Sequence, residues 1–147
     1  SSIAARIPDS VVLDLYAGTG SMGLEALSRG AATVTFVEQE RDALNALRTN
    51  IETVGLGGDV VAGDVDRFLE RTGGRFDLVF IDPPYAVPLA SLVETMARVS
   101  PRLAQGGLAV IHRRKGDNPP EMIEDLVLVD QRQYGGAELW RYTKEHT

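Results

Sequence analysis

The sequence predicts an α/β fold: a seven-stranded, mostly parallel sheet with helices on both faces and a C-terminal antiparallel hairpin. Two observations support this prediction. Short apolar runs rich in β-branched residues recur along the chain, as buried parallel strands do. Segments of helical periodicity separate these runs, which indicates repeated βαβ units. The chain has 147 residues, of which 44% are hydrophobic, so one domain accounts for its whole length.

Five apolar runs are the predicted parallel strands, at 11–15, 34–37, 60–62, 78–81 and 108–111. Four helices are predicted between them, at 22–29, 40–54, 64–71 and 89–103. Gly30 and Gly55 directly follow the first two helices, where a glycine favours helix termination. Ser100-Pro101 is expected to break or kink the last helix, because proline lacks the backbone donor that a helix interior needs.

The last two predicted strands, at 126–129 and 138–142, have no room for a helix between them. Tyr134-Gly135-Gly136 separates them, so they are expected to form a hairpin in which at least one strand runs antiparallel to the rest. Trp140 and Tyr142 alternate with Leu139 and Arg141 in the second strand, and we expect both rings to pack in the core or at an edge of the sheet.

Composition excludes several kinds of site. The chain contains no cysteine, so disulfides, thiolate zinc sites and cysteine nucleophiles are excluded. A net charge of −6 argues against a generally basic nucleic-acid-binding surface. One local basic patch, His112-Arg113-Arg114-Lys115, is a candidate contact for a polyanion. A solvated strand end explains these residues equally well. His112 and His146 have no carboxylate or histidine at ligand spacing, so no metal site is predicted.

The apolar runs are also too short to cross a membrane. The longest have six or seven residues, and no charged segment followed by a hydrophobic one begins the chain. We therefore expect a soluble, cytoplasmic protein without a membrane partner, and we expect it to be a monomer.

The clearest candidate site is Asp82-Pro83-Pro84-Tyr85, which directly follows the apolar run 76–81. Proline fixes its own φ and favours an extended residue before it, so this turn is stiff. The ionised Asp82 carboxylate and the Pro83 carbonyl are both acceptors, so they can hold the two hydrogens of an amino group. The Tyr85 ring can stack on the base that carries this amine. A strand followed by a plain proline turn is the alternative, but the whole tetrapeptide favours chemistry on the exocyclic nitrogen of a nucleobase.

A glycine-rich loop follows the first predicted strand. Gly18-x-Gly20-x-x-Gly23 has the spacing of the dinucleotide fingerprint of Rossmann-like sheets, which is weak evidence by itself. Asp14, four residues before Gly18, favours a ligand with an ammonium group over a pyrophosphate. S-adenosylmethionine carries an ammonium group and a sulfonium. Glu38, at the end of the second strand, can accept hydrogen bonds from both ribose hydroxyls of either nucleotide class.

Asp64 follows the third strand and has two interpretations. It can accept a hydrogen bond from an adenine amine, with Val65 as an apolar neighbour, or it can cap the next helix. Asp14, Glu38 and Asp64 thus stand at the carboxyl ends of three successive strands, and Asp82 ends the fourth. Open α/β sheets bind ligands in the crevice outside these strand ends, so we expect all four carboxylates to border one crevice.

On these residues the chain resembles the class I S-adenosylmethionine-dependent methyltransferases over nearly its whole length. Residues 14–20 are similar to the glycine-rich first motif of that class, and the tetrapeptide at 82–85 is similar to the motif of its amino-methylating subset. The resemblance implies S-adenosylmethionine as the cofactor. It also implies two sets of site residues. The catalytic residues are Asp82, Pro83, Pro84 and Tyr85. The cofactor-binding residues are Asp14, Tyr16, Ala17, Gly18, Gly20, Glu38, Gln39, Asp64 and Val65.

Within that class, residues 14–37 are similar to the bacterial family that methylates N2 of a guanine in 16S ribosomal RNA. The resemblance implies the small ribosomal subunit or its RNA as the partner, and direct in-line transfer of the methyl group. Members of that family carry a further basic segment before the first strand. We therefore expect residues 1–147 to be an N-terminally truncated methyltransferase domain, whose activity belongs to the full protein.

Three alternatives stay open. A DNA adenine-N6 methyltransferase uses the same tetrapeptide, although 147 residues leave no space for the recognition region that sequence-selective DNA enzymes usually add. An NAD-dependent oxidoreductase would use the glycine-rich loop and Glu38, but it leaves Asp14 and the tetrapeptide unexplained. A non-catalytic binding module is the third. Cytosine C5 methylation needs a thiolate nucleophile, so the absence of cysteine excludes it.

Overall fold

Eight strands and five α-helices make up the computed structural model, which describes residues 2–145. His146, considered above for metal binding, lies outside the described residues. The strands are β1 (Val11–Leu15), β2 (Thr33–Glu38), β3 (Asp59–Ala62), β4 (Phe76–Ile81), β5 (Leu103–Arg114), β6 (Met122–Ile123), β7 (Leu126–Tyr134) and β8 (Ala137–Lys144). The helices are α1 (Ile3–Arg6), α2 (Ser21–Ser28), α3 (Arg41–Val54), α4 (Val65–Arg71) and α5 (Leu89–Val99).

The first five strands form the parallel part of a single sheet. β1 pairs with β2 and β4, β2 pairs with β3, and β4 pairs with β5, all in parallel. The complete order is β3-β2-β1-β4-β5-β8-β7-β6. The chain runs outward from β1 to β3 and then returns to place β4 on the other side of β1. This reversal opens a crevice at the carboxyl ends of β1 and β4, where ligands bind in open α/β sheets.

The predicted terminal hairpin is confirmed. β7 and β8 are antiparallel, and β8 lies between β5 and β7, antiparallel to β5. The predicted number of strands is one too low, because β6 pairs with β7 at the edge of the sheet. A strand of two residues is too short to show an alternating pattern in the sequence. The last predicted helix ends at Val99, and a 3-10 turn at Ser100–Arg102 leads into β5, as the proline there suggested.

The sheet buries one apolar layer on each face. α4 and α5 cover the face that contains Leu13 and Val79, whereas α2 and α3 cover the face that contains Val12 and Phe36. Trp140 and Tyr142 of β8 extend the first layer, and both rings are fully buried, as expected. None of the helices within residues 2–145 has the length and apolar character that a bilayer crossing requires.

Gly23 allows α2 to lie directly on β2. A Cβ atom added at Gly23 would lie 2.3 Å from Cε2 of Phe36 and 2.9 Å from Cγ1 of Val34. Both of these side chains are buried in the sheet, so neither can move aside freely. The third glycine of the fingerprint therefore permits close packing between the helix and the strand, and this packing fixes the position of the loop before α2.

We expect Gly23→Ala to lower the free energy of unfolding by about 1–3 kcal/mol, because the added methyl group overpacks the contact with Phe36. Urea denaturation followed by circular dichroism measures this change. Gly73→Ala is the matched control, since a Cβ atom there meets no heavy atom within 4 Å. The control should shift the free energy by less than about 0.5 kcal/mol. Equal shifts for the two variants would contradict the packing role of Gly23.

Candidate active site

Two adjoining cavities lie at the carboxyl ends of the parallel strands. The larger, here the main cleft, has a volume of about 810 Å³, and the smaller has a volume of about 240 Å³. Tyr16 and Asp82 line both cavities, so the two meet between the ends of β1 and β4. The main cleft is also lined by Val37, Glu38, Gln39, Glu40, Gly63, Asp64, Val65, Asp66, Pro83, Pro84, Tyr85, Val87, Pro88, Ser91, Thr95 and His112. The smaller cavity is also lined by Asp14, Ala17, Gly18, Thr19, Ser21 and Met22.

Asp14 is a buried carboxylate at the base of the smaller cavity, with 2% of its surface exposed. Its Oδ2 atom accepts a hydrogen bond from the Gly23 backbone N–H at 3.0 Å. Burial raises the pKa of Asp14 to about 7; the Gly23 hydrogen bond opposes this rise, and the charges of Asp82 and Glu38 add to it. A cation placed beside Asp14 would stabilise its ionised form, so the site suits a positively charged ligand.

Glu38 ties the glycine-rich loop to the end of β2. Its Oε1 atom accepts from the Gly18 N–H at 2.8 Å, and its Oε2 atom accepts from the Gln39 and Glu40 N–H groups at 2.9 Å each. A carboxylate has about four acceptor positions, so capacity is left for a ligand hydroxyl. Glu38 thus shapes the loop and still presents a carboxylate to the main cleft.

Tyr16 begins the loop in a left-handed conformation, with φ at 59°. This conformation is uncommon for an aromatic residue and recurs at functional sites. Burial raises the pKa of Tyr16, while a hydrogen bond with Thr95 lowers it. Thr95 Oγ1 in turn donates to Asp66 Oδ1 at 2.8 Å. The Tyr16 side chain therefore connects the loop to α5 and forms one wall of the main cleft.

Asp64 caps α4, because its Oδ2 atom accepts from the Arg67 N–H at 3.0 Å. The capping interpretation is confirmed, and the Asp64 side chain also lines the main cleft together with Gln39 and Val65. Gly20 differs from the other cofactor-binding candidates, since it lines neither of the two cavities. It has a φ of 91°, and a Cβ atom there would lie 2.5 Å from Cδ1 of Leu47, so it serves the turn and the packing of α3.

The tetrapeptide begins level with the end of β1, because the Asp82 N–H donates to the Leu15 carbonyl at 3.4 Å. The Pro84 carbonyl accepts from the Val87 N–H at 3.0 Å, which closes the turn. Within residues 2–145, the Pro83 carbonyl accepts no hydrogen bond, so it is available to a ligand donor. The Tyr85 ring is 46% exposed beside it. Two acceptors and an aromatic ring thus face the main cleft together.

His112 lines the main cleft, although the sequence analysis does not predict it as a site residue. Ile81 and Ile111 are paired in the parallel register of β4 and β5, so Asp82 and His112 are the next residues on neighbouring strands. His112 Nδ1 lies 3.1 Å from Asp82 Oδ1. The His112 ring is nearly parallel to the Tyr85 ring, with 6.3 Å between centroids and 21° between planes. The one signal of this contact in the sequence is that a polar residue follows each of the apolar runs 78–81 and 108–111.

The four residues of the candidate basic patch, 112–115, do not form one exposed cationic surface. Arg113 has a side chain that is only 1% exposed, and its Nε atom lies 2.6 Å from Asp117 Oδ2. It points to the opposite face from His112, because successive side chains alternate across a strand. Arg114 and Lys115 are the exposed cations of the four. Among the described residues, no three His, Cys, Asp or Glu side chains are grouped closely enough to hold a metal ion.

Comparison with known proteins gives a family match over nearly all of the chain. The model of the family described as Conserved hypothetical protein 95 matches residues 1–143. A Bacillus subtilis protein named "Putative rRNA methyltransferase YlbH" is 32% identical over 128 residues, which cover 84% of this chain and 70% of that protein. Ribosomal RNA small subunit methyltransferase D of Haemophilus influenzae is 32% identical over 134 residues, which cover 88% of this chain and 69% of that protein.

Solved structures share the fold. An Escherichia coli structure described as "Putative methyltransferase yhhF" superposes with a TM-score of 0.88 at 31% identity, over 99% of this chain and 81% of that one. A second structure, described as SMU.776 complexed with SAH, has a TM-score of 0.78 at 14% identity, over 93% of this chain and 46% of that one. The second likeness is one of fold alone. The α/β architecture predicted from the sequence is thus that of methyltransferases.

The pKa of Asp14 leads to a pH-dependent stability. Since folding raises this pKa from 3.8 to about 7, the folded chain holds a proton that the unfolded chain has released. The contribution of Asp14 to the free energy of unfolding therefore falls as the pH rises from about 4 to about 7. Asn cannot ionise, so the free energy of unfolding of Asp14→Asn, relative to that of the parent chain, should rise by on the order of 2 kcal/mol between about pH 5 and about pH 8. Urea denaturation of both chains at each pH measures this change. A difference between the two chains that is the same at both pH values would contradict the raised pKa.

Proposed function

The chain belongs to the family described as Conserved hypothetical protein 95, and on that premise we propose that it methylates the exocyclic N2 amine of a guanine in 16S ribosomal RNA. The methyl donor is S-adenosylmethionine. At the coarser level, the chain is an rRNA methyltransferase domain, as its relatives are. One observation carries the proposal of amine methylation: the two acceptors of an amine grip, Asp82 and Pro83, line the same cleft as Glu38 and Asp64. The choice of guanine N2 in 16S RNA follows from the resemblance of residues 14–37 to the family that methylates it.

The chemistry of the strand-end residues fits the cofactor. Asp14 would bind its ammonium group, since this buried carboxylate gains most from a cation beside it. Glu38 would accept from the ribose hydroxyls, and Asp64 with Val65 would contact the adenine. Tyr16, Ala17, Gly18 and Gln39 line the same cavities as these carboxylates, and Gly20 acts through the turn. When bound, S-adenosylmethionine supplies a sulfonium methyl group, whose carbon–sulfur bond breaks and leaves its electron pair on sulfur.

The tetrapeptide would make the amine nucleophilic. The lone pair of an exocyclic amine is delocalised into the base, so the amine is a poor nucleophile without help. Hydrogen bonds from its two N–H groups to Asp82 and to the Pro83 carbonyl would localise the lone pair on nitrogen and direct it at the methyl carbon. Tyr85 would hold the base by stacking. As the nitrogen–carbon bond forms, the nitrogen becomes cationic and loses a proton to water, so no strong base is needed.

Positioning is therefore the main contribution of the protein. The cleft holds the donor and the acceptor in one orientation, which converts a bimolecular reaction into an effectively unimolecular one. The net charge of −6 means that the RNA must be drawn in by local cations rather than by the general field of the domain.

The proposal is tested by a methylation assay with the full-length protein and isotopically labelled S-adenosylmethionine. Small ribosomal subunits, naked 16S RNA and duplex DNA are compared as substrates, and the products are digested to nucleosides for mass spectrometry. We expect N2-methylguanosine from the ribosomal substrate and no product from DNA. N6-methyladenosine from duplex DNA would instead support the DNA methyltransferase alternative.

We expect Asp82→Ala to lower the turnover number at least about a hundredfold, because the amine loses one of its two acceptors. The dissociation constant of S-adenosylmethionine, measured by calorimetry, should change less than about threefold, because Asp14, Glu38 and Asp64, the carboxylates assigned to the cofactor, are all retained. Asp59→Ala is the matched control. It removes the same exposed charge at the opposite, amino end of β3, so its turnover should equal that of the parent protein. An Asp82→Ala variant that methylates RNA normally would refute the amine grip.

A further inference from the structure

We propose that His112 is a positioning residue, which orients the Asp82 carboxylate by donating its Nδ1 hydrogen to Oδ1. The inference rests on the proposed function in one respect, namely that Asp82 accepts a hydrogen bond from an exocyclic amine. It adds a residue from a different strand to the tetrapeptide at 82–85. The contact itself is a feature of the fold, independent of which base carries the amine.

The Asp82 carboxylate needs an orienting partner. It follows the last residue of β4, and its side chain is 49% exposed, so packing alone does not restrict its rotation. Within residues 2–145, the contact of 3.1 Å with His112 is the one hydrogen bond that the carboxylate makes. This bond occupies Oδ1 and leaves Oδ2 as an acceptor for the amine. His112 thus fixes the orientation of the carboxylate through one oxygen, and the other oxygen contacts the substrate.

The contact also indicates that Nδ1 is the ring nitrogen that donates. An ionised carboxylate only accepts hydrogen bonds, so at 3.1 Å the Nδ1 atom of His112 must carry the hydrogen. Both the neutral Nδ1–H tautomer and the imidazolium meet this condition. The orienting bond therefore persists in either charge state of His112.

His112 is itself held more firmly than a loop residue would be. It lies within β5, which is paired with β4 on one side and with β8 on the other. Its neighbours Ile111 and Arg113 are almost fully buried, and Leu139 of β8 stands opposite it in register. The ring is therefore carried by a strand that is paired on both sides. A residue that orients a catalytic group needs such a rigid element.

The ring has a second contact, so two roles must be separated. It lies nearly parallel to the Tyr85 ring, with centroids 6.3 Å apart, so support of that ring is the competing role. Two substitutions divide the roles between them. His112→Asn keeps a side-chain N–H close to Asp82 but removes the ring. His112→Phe keeps the ring but removes the donor.

The test measures the turnover number and the Michaelis constant of the full-length protein on small ribosomal subunits, with His112→Ala beside the two variants. The proposal requires that His112→Ala and His112→Phe lower the turnover number about tenfold. It also requires that the turnover number of His112→Asn stay within about threefold of the parent value. The Michaelis constant for RNA and the dissociation constant of S-adenosylmethionine should be unchanged. Gln133→Ala, an exposed polar position on β7, is the neutral control.

Three results would overturn the proposal. Equal turnover in all variants means that His112 does not act. Normal turnover in Phe with loss in Asn assigns the function to the ring. Loss of cofactor binding or of thermal stability in the Asn and Phe variants alike makes the residue structural. The proposed function is tested separately, by the product of the parent protein. If that product is a methylated nucleoside other than N2-methylguanosine, the base assignment is wrong. The order of turnover among the variants on that product still decides the role of His112.

Discussion

The parallel register of β1, β4 and β5 is the constraint on which the site depends. Leu15 is paired with Ile81, and Ile81 is paired with Ile111, so these positions of the three strands lie at the same level of the sheet. Each then continues into a residue of the site, in turn Tyr16, Asp82 and His112. Backbone hydrogen bonds buried between two apolar layers maintain this alignment, because a slip by one residue would turn every core side chain to the wrong face. The geometry of the site is thus secured by the core.

A concentration of negative charge is the second consequence of this alignment. Asp14, Glu38, Asp64 and Asp82 all border the two cavities. Three of them accept hydrogen bonds from backbone N–H groups, and Asp82 is paired with a histidine. Only Asp14 is buried, and burial raises its pKa to about 7. A cationic ligand would relieve this repulsion, so the fold tolerates an electrostatic cost that ligand binding can offset.

The C-terminal hairpin has an indirect part in the site. β8 lies against β5, antiparallel to it, and brings Trp140 and Tyr142 into the core. This pairing makes β5 a central strand rather than an edge strand. His112 is paired with Leu139 of β8, one residue beyond the last β4–β5 pair at Ile111, so the hairpin supports a residue that lines the main cleft. Helix α2 makes a comparable contribution on the other side, where Gly23 allows its first turn to approach both Phe36 and the Asp14 carboxylate.

Local patterns in the amino-acid sequence predict the α/β class, the five parallel strands and the hairpin, and they contain the two motifs. Each of these has a local signal: β-branched runs, glycines at helix ends, the glycine-rich loop, and prolines that stiffen the turn after Asp82. The tertiary structure alone decided that β4 lies beside β1, that β6 extends the edge, that Arg113 is buried, and that His112 meets Asp82. These facts depend on which strands become neighbours. Strand pairing joins residues that are far apart in the chain, so no spacing within the sequence records it.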